Sequence, residues 1–429
     1  MPIAKPTVAH VEGPVEVADL GVSVPPSQWT NWFGNQSCYP KELGSPASED
    51  ELAALVVGAA RRGLEVRAQG AGHSVTPIVP TRGLLLDLRG LPRIQSIDPV
   101  RRRVVAGPAT TIGELGVPLW KSGLALENQG DIVAQQIAGA VATGTHGSGL
   151  RLGSFSSNVR RLRLVTAAGD VLEVDETEPD LLHAAQVAIG MLGVVTELEF
   201  EVAAAYRLRE RIEYWSWQAA YGRFDELAQA HRHYSFFWMP SERSAALYGL
   251  AKPGVSLEDQ CLVKIYDEVD ESVPDSDEPN RRVGPAHLIY PMVFDPNFHE
   301  LEYFVPLELG GEALAAMREL VLSHLPASVF PMEVRTVRRD SAFLSHSYER
   351  DTVVISVSGV PGTDYWPYFR DVDRLLGEFN ARVHWGKVHL LTREQLFLRY
   401  PKAGAFIDTR RALDPAGTFL NDHLRPLFE

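Results

Sequence analysis

The chain has 429 residues, more than one domain usually holds, so its length predicts two domains. Hydrophobic residues make up 45% of the sequence and charged residues 22%, which is typical of a globular protein and excludes a disordered one. The formal net charge of −14 argues against a nucleic-acid partner, because binding phosphates requires a dense basic surface.

Cysteines and hydrophobic runs exclude further classes of protein. Cys38 and Cys261 lie far apart and lack metal-ligand spacing, which excludes a disulfide framework and a cysteine-rich zinc site. The N-terminus lacks a basic start followed by an apolar stretch, and no uncharged apolar run approaches the ~18 residues needed to cross a bilayer. The sequence therefore predicts a cytoplasmic protein without membrane insertion.

The first predicted elements are a leader, a helix and a strand. Residues 1–28 contain several prolines and little periodicity, and we expect them to form an extended leader. A helix is predicted over residues 49–62, where Ser48 can cap the first turn and apolar residues form one stripe. A strand over residues 64–68 then leads into a glycine-rich loop at residues 70–74.

Residues 83–174 consist mostly of short alternating runs that predict strands separated by turns. A hairpin is expected at residues 166–174, and a short helix at residues 112–121 interrupts the strands. Residues 190–202 predict a glycine turn followed by a strand. This mixture of helices and strand runs predicts an α+β fold.

The character of the sequence changes near residue 205, where we place a domain boundary. Aromatic residues become dense over residues 214–238 and are interpreted as core, while His231 and His233 are interpreted as surface residues. Longer helices are predicted at residues 311–325 and 365–379. The acidic run at residues 267–278 predicts a solvated loop.

The first segment with chemical potential is Gly70-Ala71-Gly72-His73-Ser74, directly after a predicted strand. Glycines let backbone N–H groups approach phosphate oxygens closely. The segment is not a Rossmann fingerprint, since the third glycine and the downstream ribose-binding acid are missing. A tight turn that carries a surface histidine is the alternative interpretation.

The second segment combines residues 128–131 with residues 137–149, where small residues dominate. Small residues allow a backbone to wrap closely around a flat or charged ligand, while Thr, Ser and His side chains supply hydrogen bonds. A flexible linker is the alternative. Ile137 and Val141 argue against a linker, because a linker needs no buried anchors.

Two later segments complete the set of candidates. Strand alternation puts Glu333 and Arg335 on one face, where the two charges can hold a polyol or lactone, although a surface salt bridge is the alternative. The His-Trp-Gly-Lys segment at residues 384–387 indicates a backbone packed against a ligand. We expect no metal here, because no carboxylate or third ligand is spaced to complete a site.

In this order the four segments resemble the vanillyl-alcohol oxidase family of FAD enzymes, in particular its sugar-lactone and alditol oxidoreductases. The resemblance covers about residues 29–429 and is specific, because the three glycine and histidine motifs rarely coincide by chance. It implies an α+β architecture with a two-lobed FAD-binding domain over residues 29–205 and an α+β cap domain over residues 206–400. The tail at residues 401–429 would return to the FAD-binding domain.

The resemblance also implies the cofactor and the residues that hold it. His73 matches the histidine that bonds covalently to the 8α position of the flavin. Further FAD contacts are implied at Gly70, Ala71, Gly72, Ser74, Asp131, Gln136, Ala138, Gly139, Thr143, Gly144, His146, Gly147, Val195 and Asn421. Substrate contacts are implied at Asp131, Ser358 and His384.

The catalytic residues that the resemblance implies are Glu333, Arg335 and Lys387. Hydride would pass from a substrate carbon to flavin N5, while Lys387 near N1 would stabilise negative charge on the reduced flavin. Arg335 would hold the reacting oxygen, and Glu333 would orient the adjacent hydroxyl. The proton acceptor is left unassigned.

The expected partners are a small polyol or lactone substrate and an electron acceptor. Gly130 matches a position where a small residue is thought to let O2 reach the flavin, so we favour an oxidase over a dehydrogenase that uses another acceptor. Residues 128–131 are closer to the lactone enzymes, whereas residues 333–337 are closer to alditol oxidase. A tailoring enzyme of secondary metabolism and a non-catalytic flavin-binding protein are the alternatives.

Overall fold

A computed structural model describes residues 28–251, 254–291, 297–324 and 330–429 of the chain. The leader predicted over residues 1–28 lies outside the described residues except for its last residue. The remaining elements build an α+β fold with two small lobes and one large antiparallel sheet, as the sequence predicts.

The first lobe comprises the elements β1 (Trp29–Thr30), β2 (Ser37–Cys38), β3 (Glu42–Gly44), α1 (Glu49–Arg61), β4 (Val66–Gln69) and β5 (Leu84–Asp87). The last three strands form a parallel sheet in the order β3-β5-β4. Helix α1 packs on this sheet through Leu52 and Val56, which are fully buried. The Ser48 side chain accepts a hydrogen bond from the Glu51 backbone N–H, which confirms the predicted cap.

The second lobe comprises β6 (Ile94–Asp98), β7 (Arg103–Ala106), α2 (Ile112–Lys121), β8 (Leu124–Ala125), α3 (Ile137–Thr143), β9 (Val159–Val165), β10 (Val171–Asp175), α4 (Pro179–Gln186), β11 (Val194–Glu201) and β12 (Ala203–Ala204). Its main sheet is antiparallel, in the order β10-β9-β11-β7-β6. Val165 pairs with Val171 across the turn between β9 and β10, which confirms the predicted hairpin.

Helix α3 was not predicted, because its sequence is rich in alanine and glycine and looked like an irregular binding segment. Ile137 and Val141 lie one turn apart and are both buried, so they anchor one face of this short helix. Gly144 ends the helix in the left-handed conformation at φ +75°. The small residues between the anchors form the other face.

The cap comprises β13 (Arg207–Ser216), α5 (Trp217–Gly222), α6 (Phe224–Ala230), β14 (His233–Met239), α7 (Glu242–Leu247), β15 (Gln260–Val269), β16 (Val283–Pro285), α8 (Ala286–Ile289), β17 (His299–Pro306), α9 (Gly310–Ser323), β18 (Met332–Val337), β19 (Thr352–Gly359), α10 (Trp366–Glu378) and β20 (Arg382–Val383). Its antiparallel sheet has the order β16-β13-β15-β14-β18-β19-β17-β20. Phe236 and Trp238 are fully buried, so the interpretation of the aromatic stretch as core is confirmed.

Two sequence interpretations in the cap need correction. His233 is buried, and its Nδ1 lies 2.6 Å from the carbonyl oxygen of Ser148, because β14 is an inner strand of the sheet. The acidic run does not begin in a loop, since residues 267–269 still belong to β15 and Asp267 contacts His231. The exposed loop follows that strand.

Helix α11 (Arg393–Arg399) is the last element before residue 400. The tail comprises α12 (Ala403–Leu413) and α13 (Arg425–Phe428), and it returns to the first lobe. The backbone N–H of Val66 donates to the carbonyl of Thr418 at 2.8 Å, and Phe419 is buried in the core under α1.

The domain bounds at residues 205 and 400 stay predictions. Within the described ranges, no helix combines the length and the apolar character needed to cross a membrane, and the cytoplasmic location stays a prediction.

Candidate functional site

A cavity of about 2010 Å³, counted with its open mouth, is lined by residues of both lobes and of the cap sheet. The lobes contribute mainly backbone and small side chains, and the cap contributes charged side chains. The expected site residues that line it are Gly70, Ala71, Gly72, His73, Ser74, Asp131, Gln136, Ala138, Gly139, Thr143, His146, Val195, Glu333, Arg335, His384 and Lys387. Four segments distant in sequence therefore meet at one site.

The glycine-rich loop enters the cavity because β4 ends at Gln69. Gly72 has φ +76°, and a Cβ there would lie 3.0 Å from the backbone nitrogen of Trp32. That nitrogen donates to the Gly72 carbonyl at 2.9 Å. From the other side, the Val75 N–H donates to the Gly386 carbonyl at 2.8 Å, which joins this loop to the His-Trp-Gly-Lys segment. The loop is thus held from two directions.

His73 lies in this loop with its ring stacked on Trp32, the ring centroids being 5.3 Å apart. Its Nδ1 is buried and has no hydrogen-bond partner among the described residues. Burial, together with the charge of Lys387, lowers the pKa of His73 to about 4. The imidazole is therefore neutral at pH 7 and has a nitrogen lone pair with which to form a bond.

Gly144 and Gly147 were expected to contact the cofactor but lie outside the cavity wall. A Cβ on Gly144 would lie 2.6 Å from Cε1 of His346, and a Cβ on Gly147 would overlap the carbonyl oxygen of Gln129. Both positions need glycine for packing, and the contact of each with the cofactor stays a prediction.

Asn421 and Ser358 also lie outside the cavity wall. The Asn421 side-chain amide donates to the carbonyls of Pro77 and Pro80, at 2.9 and 2.8 Å, so it fastens the tail to the first lobe. Ser358 pairs with Glu300 across β19 and β17, one strand away from the charged residues of β18. The contacts expected for Asn421 and Ser358 stay predictions.

The charged wall is built by strand alternation on β17 and β18. Glu300 and Glu302 share one face of β17, and Glu333 and Arg335 share the same face of β18. Arg335 Nη2 lies 2.9 Å from Glu302 Oε1 and 3.3 Å from Glu333 Oε2. All four side chains are almost fully buried, which excludes the surface salt bridge considered above.

The two carboxylates on Arg335 differ in ionisation. Burial opposes the charge of Glu302, but Arg335 and His146 outweigh burial and hold its pKa well below the ordinary value. Burial dominates at Glu333 and, with Asp131 nearby, raises its pKa to about 7. Glu302 Oε2 and Glu333 Oε1 are both buried without a partner among the described residues. Each carboxylate thus has one oxygen free to accept a proton or a hydrogen bond.

Lys387 reaches the same wall and forms an ion pair with Glu300. Burial opposes its charge, but Glu300 and Glu302 raise the pKa of Lys387 above the ordinary value. Nearby, His384 accepts a hydrogen bond at Nδ1 from the Gly386 N–H at 3.0 Å. Burial lowers the pKa of His384 to about 3, so the ring is neutral with its proton on Nε2.

His146, Glu302 and His384 place potential metal-ligand atoms within 4.8 Å of one another. Glu302 Oε1, however, is already 2.8 Å from His146 Nε2 and 2.9 Å from the Arg335 guanidinium. The proton on His384 Nε2 leaves that nitrogen without a free lone pair. These contacts favour a hydrogen-bond network over a metal ion, and the metal-free site stays a prediction.

Sequence reasoning missed Glu300, Glu302, Lys264 and Tyr248. Glu300, Glu302 and Tyr248 line the cavity, and Lys264 lies directly behind Asp131. The alternation of two glutamates over residues 300–302 repeats the pattern that identified Glu333 and Arg335, so it was a usable signal. A lysine within the apolar run at residues 261–266 was another.

Comparisons with known proteins agree with this arrangement. An FAD-binding domain model matches residues 40–175, and a D-arabinono-1,4-lactone oxidase model matches residues 269–427. The chain is 34% identical over 421 residues to L-gulono-1,4-lactone dehydrogenase of Mycobacterium tuberculosis, covering 92% of this chain and 98% of the relative. It is 31% identical over 431 residues to alditol oxidase of a Streptomyces species, covering 93% and 99%.

The fold is also that of a solved flavoenzyme. The structure of cholesterol oxidase from B. sterolicum superposes with a TM-score of 0.78 at 15% identity, covering 94% of this chain and 97% of that chain. At this identity the likeness shows the fold alone. Together with the two relatives, which the chain covers almost completely, it identifies the family. The chain belongs to the vanillyl-alcohol oxidase family of FAD enzymes, in its branch of sugar-lactone and alditol oxidoreductases.

Proposed function

We propose that the protein oxidises an alcohol carbon of a neutral, sugar-derived lactone or polyol, with flavin N5 as hydride acceptor and O2 as the final electron acceptor. The observation that carries this proposal is the shared cavity, in which the His73 loop faces two buried cations and four carboxylates, with Lys264 paired to one of those carboxylates from outside the cavity. A non-catalytic flavin-binding protein would not need such a wall, because burying unused charges is costly.

The residues of the first two lobes fit FAD. Glycines 70 and 72 bring backbone N–H groups to the cavity, and the small face of α3 offers room for a close backbone approach. The unpartnered Nδ1 of the neutral His73 ring supports a covalent attachment at this residue. Bound FAD would supply the oxidant that takes two electrons and a hydrogen from the substrate.

Glu333 is the better candidate for taking the substrate's hydroxyl proton. A general base works best when its pKa is near the working pH, and burial raises the pKa of Glu333 to about 7. Glu302 holds its proton too weakly, because Arg335 and His146 keep its pKa low. Glu302 would instead accept a substrate hydrogen bond at its free oxygen.

Arg335 and Lys387 would bind and polarise the reacting oxygen. Both are buried cations whose charge is secured by neighbouring carboxylates, so they present charged hydrogen-bond donors to the cavity. Because Lys264, Arg335 and Lys387 each already face a carboxylate, an anionic substrate would have to displace an existing ion pair. This balance favours neutral substrates.

An anaerobic substrate screen tests the proposal. Purified holoenzyme is mixed with L-gulono-1,4-lactone and with xylitol, and the flavin absorbance is followed before and after O2 is admitted. We expect bleaching by at least one compound and rapid recovery with O2. The Arg335→Met variant should not bleach, whereas Arg151→Met, a change at an exposed residue outside the cavity, should behave as the unmodified enzyme.

The screen separates the parts of the proposal. Absence of bleaching by either compound would contradict the substrate class. Bleaching without recovery in O2 would contradict the oxidase assignment and favour another electron acceptor. Gly130 supports the oxidase assignment, since this small residue lines the cavity and leaves room there for O2.

A further inference from the structure

Lys264 is a buried lysine in the middle of an apolar strand. It lies on β15 between Val263 and Ile265, both fully buried, and its own side chain is 5% exposed. Its Nζ lies 3.0 Å from Asp131 Oδ1, the single ion-pair partner it has among the described residues. The lysine does not line the cavity, but Asp131 does. Lys264 therefore contacts the site through Asp131, and its charge also acts on Glu333.

This ion pair is not explained by stability. Removing a lysine and an aspartate from water costs several kcal/mol for each ion, which the attraction between them usually does no more than offset. The Phe237 ring lies 5.6 Å from Nζ, and the strand residues on either side of the lysine are apolar. An apolar side chain would fill this place at no such cost, so the pair calls for a functional explanation.

Asp131 presents a free acceptor to the cavity. One oxygen contacts Lys264, whereas Oδ2 is 3.8 Å from Arg335 Nη1, beyond hydrogen-bond distance. The side chain is 16% exposed, and this exposed part faces the cavity that it lines. Lys264 and Arg335 outweigh the effect of burial and hold the pKa of Asp131 below its ordinary value.

We propose that Lys264 is a positioning residue that holds Asp131 in the cavity as an anionic acceptor for a substrate hydroxyl group, which selects substrates with a free hydroxyl there and disfavours those with a carboxylate or phosphate. This inference rests on the proposed function and deepens it. Lys264 reaches the loop from the cap sheet, whereas Asp131 belongs to the loop that also supplies Gly130. The ion pair therefore fixes this loop against the cap sheet and also keeps Asp131 charged.

The electrostatic surroundings of Asp131 come from several elements. The groups that face it are Lys264 and Tyr266 on β15, Glu333 and Arg335 on β18, His233 on β14, His146 after α3, Tyr248 after α7 and Tyr290 after α8. Arg335 already contacts Glu302 and Glu333, whereas the ion pair of Lys264 among the described residues is with Asp131, although the charge of Lys264 also acts on Glu333.

The first test measures thermal stability against pH and needs no substrate. In Lys264→Met, Asp131 keeps its burial and loses its nearest cation, so its folded-state pKa rises above that of the unfolded chain. The variant then loses stability as pH rises above about 4, the ordinary pKa of a free aspartate, so its Tm should fall further below that of the unmodified enzyme as the pH is raised. Asp131→Asn combined with Lys264→Met should remove this dependence. A Tm difference that does not change with pH would overturn the proposal.

The second test is kinetic, with xylitol and the corresponding acid, xylonate, as probes. Losing a hydrogen bond to a charged group should raise the KM for xylitol by roughly tenfold to a hundredfold in Lys264→Met, with a smaller change in kcat. Asp131→Asn should have a similar effect, and the double variant should be no worse than either. Both single variants should discriminate less against xylonate. Lys264→Arg should restore the KM in part.

Controls separate this inference from general damage and from the proposed function. Lys121→Met, at an exposed lysine on α2, should leave KM and the pH dependence of Tm unchanged. Effects of Lys264→Met and Asp131→Asn on KM that add, or a loss confined to kcat, would overturn the proposal. If neither L-gulono-1,4-lactone nor xylitol reduces the flavin, the proposed function fails, and the Tm measurements still decide whether Lys264 keeps Asp131 ionised.

Discussion

Glu302 and Glu333 contact the same guanidinium of Arg335, yet their ionisation differs because their other neighbours differ. His146 adds a second hydrogen bond to Glu302, whereas Asp131 adds negative charge beside Glu333. Two carboxyl groups with separated pKa values on one cation can divide the tasks of proton acceptor and hydrogen-bond acceptor. The proposed chemistry depends on this difference in ionisation between Glu302 and Glu333.

Glu333→Gln tests this division through the pH dependence of the enzyme. An unmodified enzyme that needs ionised Glu333 should gain kcat/KM as the pH rises through about 7, the value to which burial raises the pKa of this carboxyl. The amide cannot take a proton, so this limb should disappear and flavin reduction should slow by about 10²–10⁴-fold. Stopped-flow reduction across the pH range measures both. A retained limb would assign the proton to another group.

His73→Ala tests the covalent link to the flavin. The neutral ring stacked on Trp32 is the proposed bonding partner of the flavin, so the variant should carry FAD without a covalent bond. Acid precipitation should leave the yellow colour on the unmodified polypeptide and release it from the variant. Free flavin in the supernatant of both proteins would contradict the attachment. His183→Ala, a half-buried histidine on α4, serves as the control.

The sequence predicted site residues well where a motif determined the backbone and less well where packing determined a position. The glycine-histidine loop and the alternation of Glu333 and Arg335 were recognisable from local spacing. The roles of Gly144 and Gly147 were not, because the groups that require glycine there, His346 and Gln129, come from distant parts of the chain or from a separate loop. Local spacing does not contain that information.

Helix prediction from local sequence is limited in the same way. Helices α1 and α2 were predictable because each has a capping residue and an apolar stripe. Helix α3 has neither a side-chain cap nor a long stripe, and its seven residues form a helix because Ile137 and Val141 pack into the second lobe. Helix formation at this length depends on tertiary packing rather than on propensity.

Gly144→Ala tests how strongly the end of α3 depends on that packing, with Gly123→Ala at the end of α2 as a matched control. Both glycines have φ near +75° (+75° and +72°), so alanine at either should cost about 1–2 kcal/mol in the free energy of unfolding. A Cβ at Gly123 meets nothing within 4 Å, whereas one at Gly144 meets the His346 ring. We expect Gly144→Ala to cost about 1–3 kcal/mol more and to reduce FAD retention. Equal urea midpoints for the two variants would contradict this.

The C-terminal tail contacts both lobes through the side chain of one arginine. Arg67 on β4 is fully buried and donates to the carbonyls of Ile78 and Phe419 at 2.8 and 2.7 Å, and also to those of Ile189 and Gly190. Burial lowers the pKa of Arg67 to about 10, so it stays charged at neutral pH. One side chain thus joins the first lobe, the second lobe and the tail, an arrangement that no local pattern could predict.

Arg67→Met tests this junction. The substitution keeps much of the volume but leaves several buried carbonyls without a donor, and we expect a loss of about 3 kcal/mol or more in the free energy of unfolding. Limited proteolysis should also cut the tail faster. Arg151→Met, at an exposed arginine, should change stability by no more than about 0.5 kcal/mol. Similar stability losses in the two variants would contradict the assigned role of Arg67.

Arg67 and Phe419 are 352 residues apart, which has a consequence for how the protein is made. The ribosome completes the first lobe's strands early, but the apolar surface that receives Phe419 stays open until translation reaches the tail. An isolated fragment containing the His73 loop would lack Phe419, which completes the hydrophobic core of the first lobe. The proposed bonding of flavin to His73 is therefore expected to follow the synthesis of nearly the whole polypeptide.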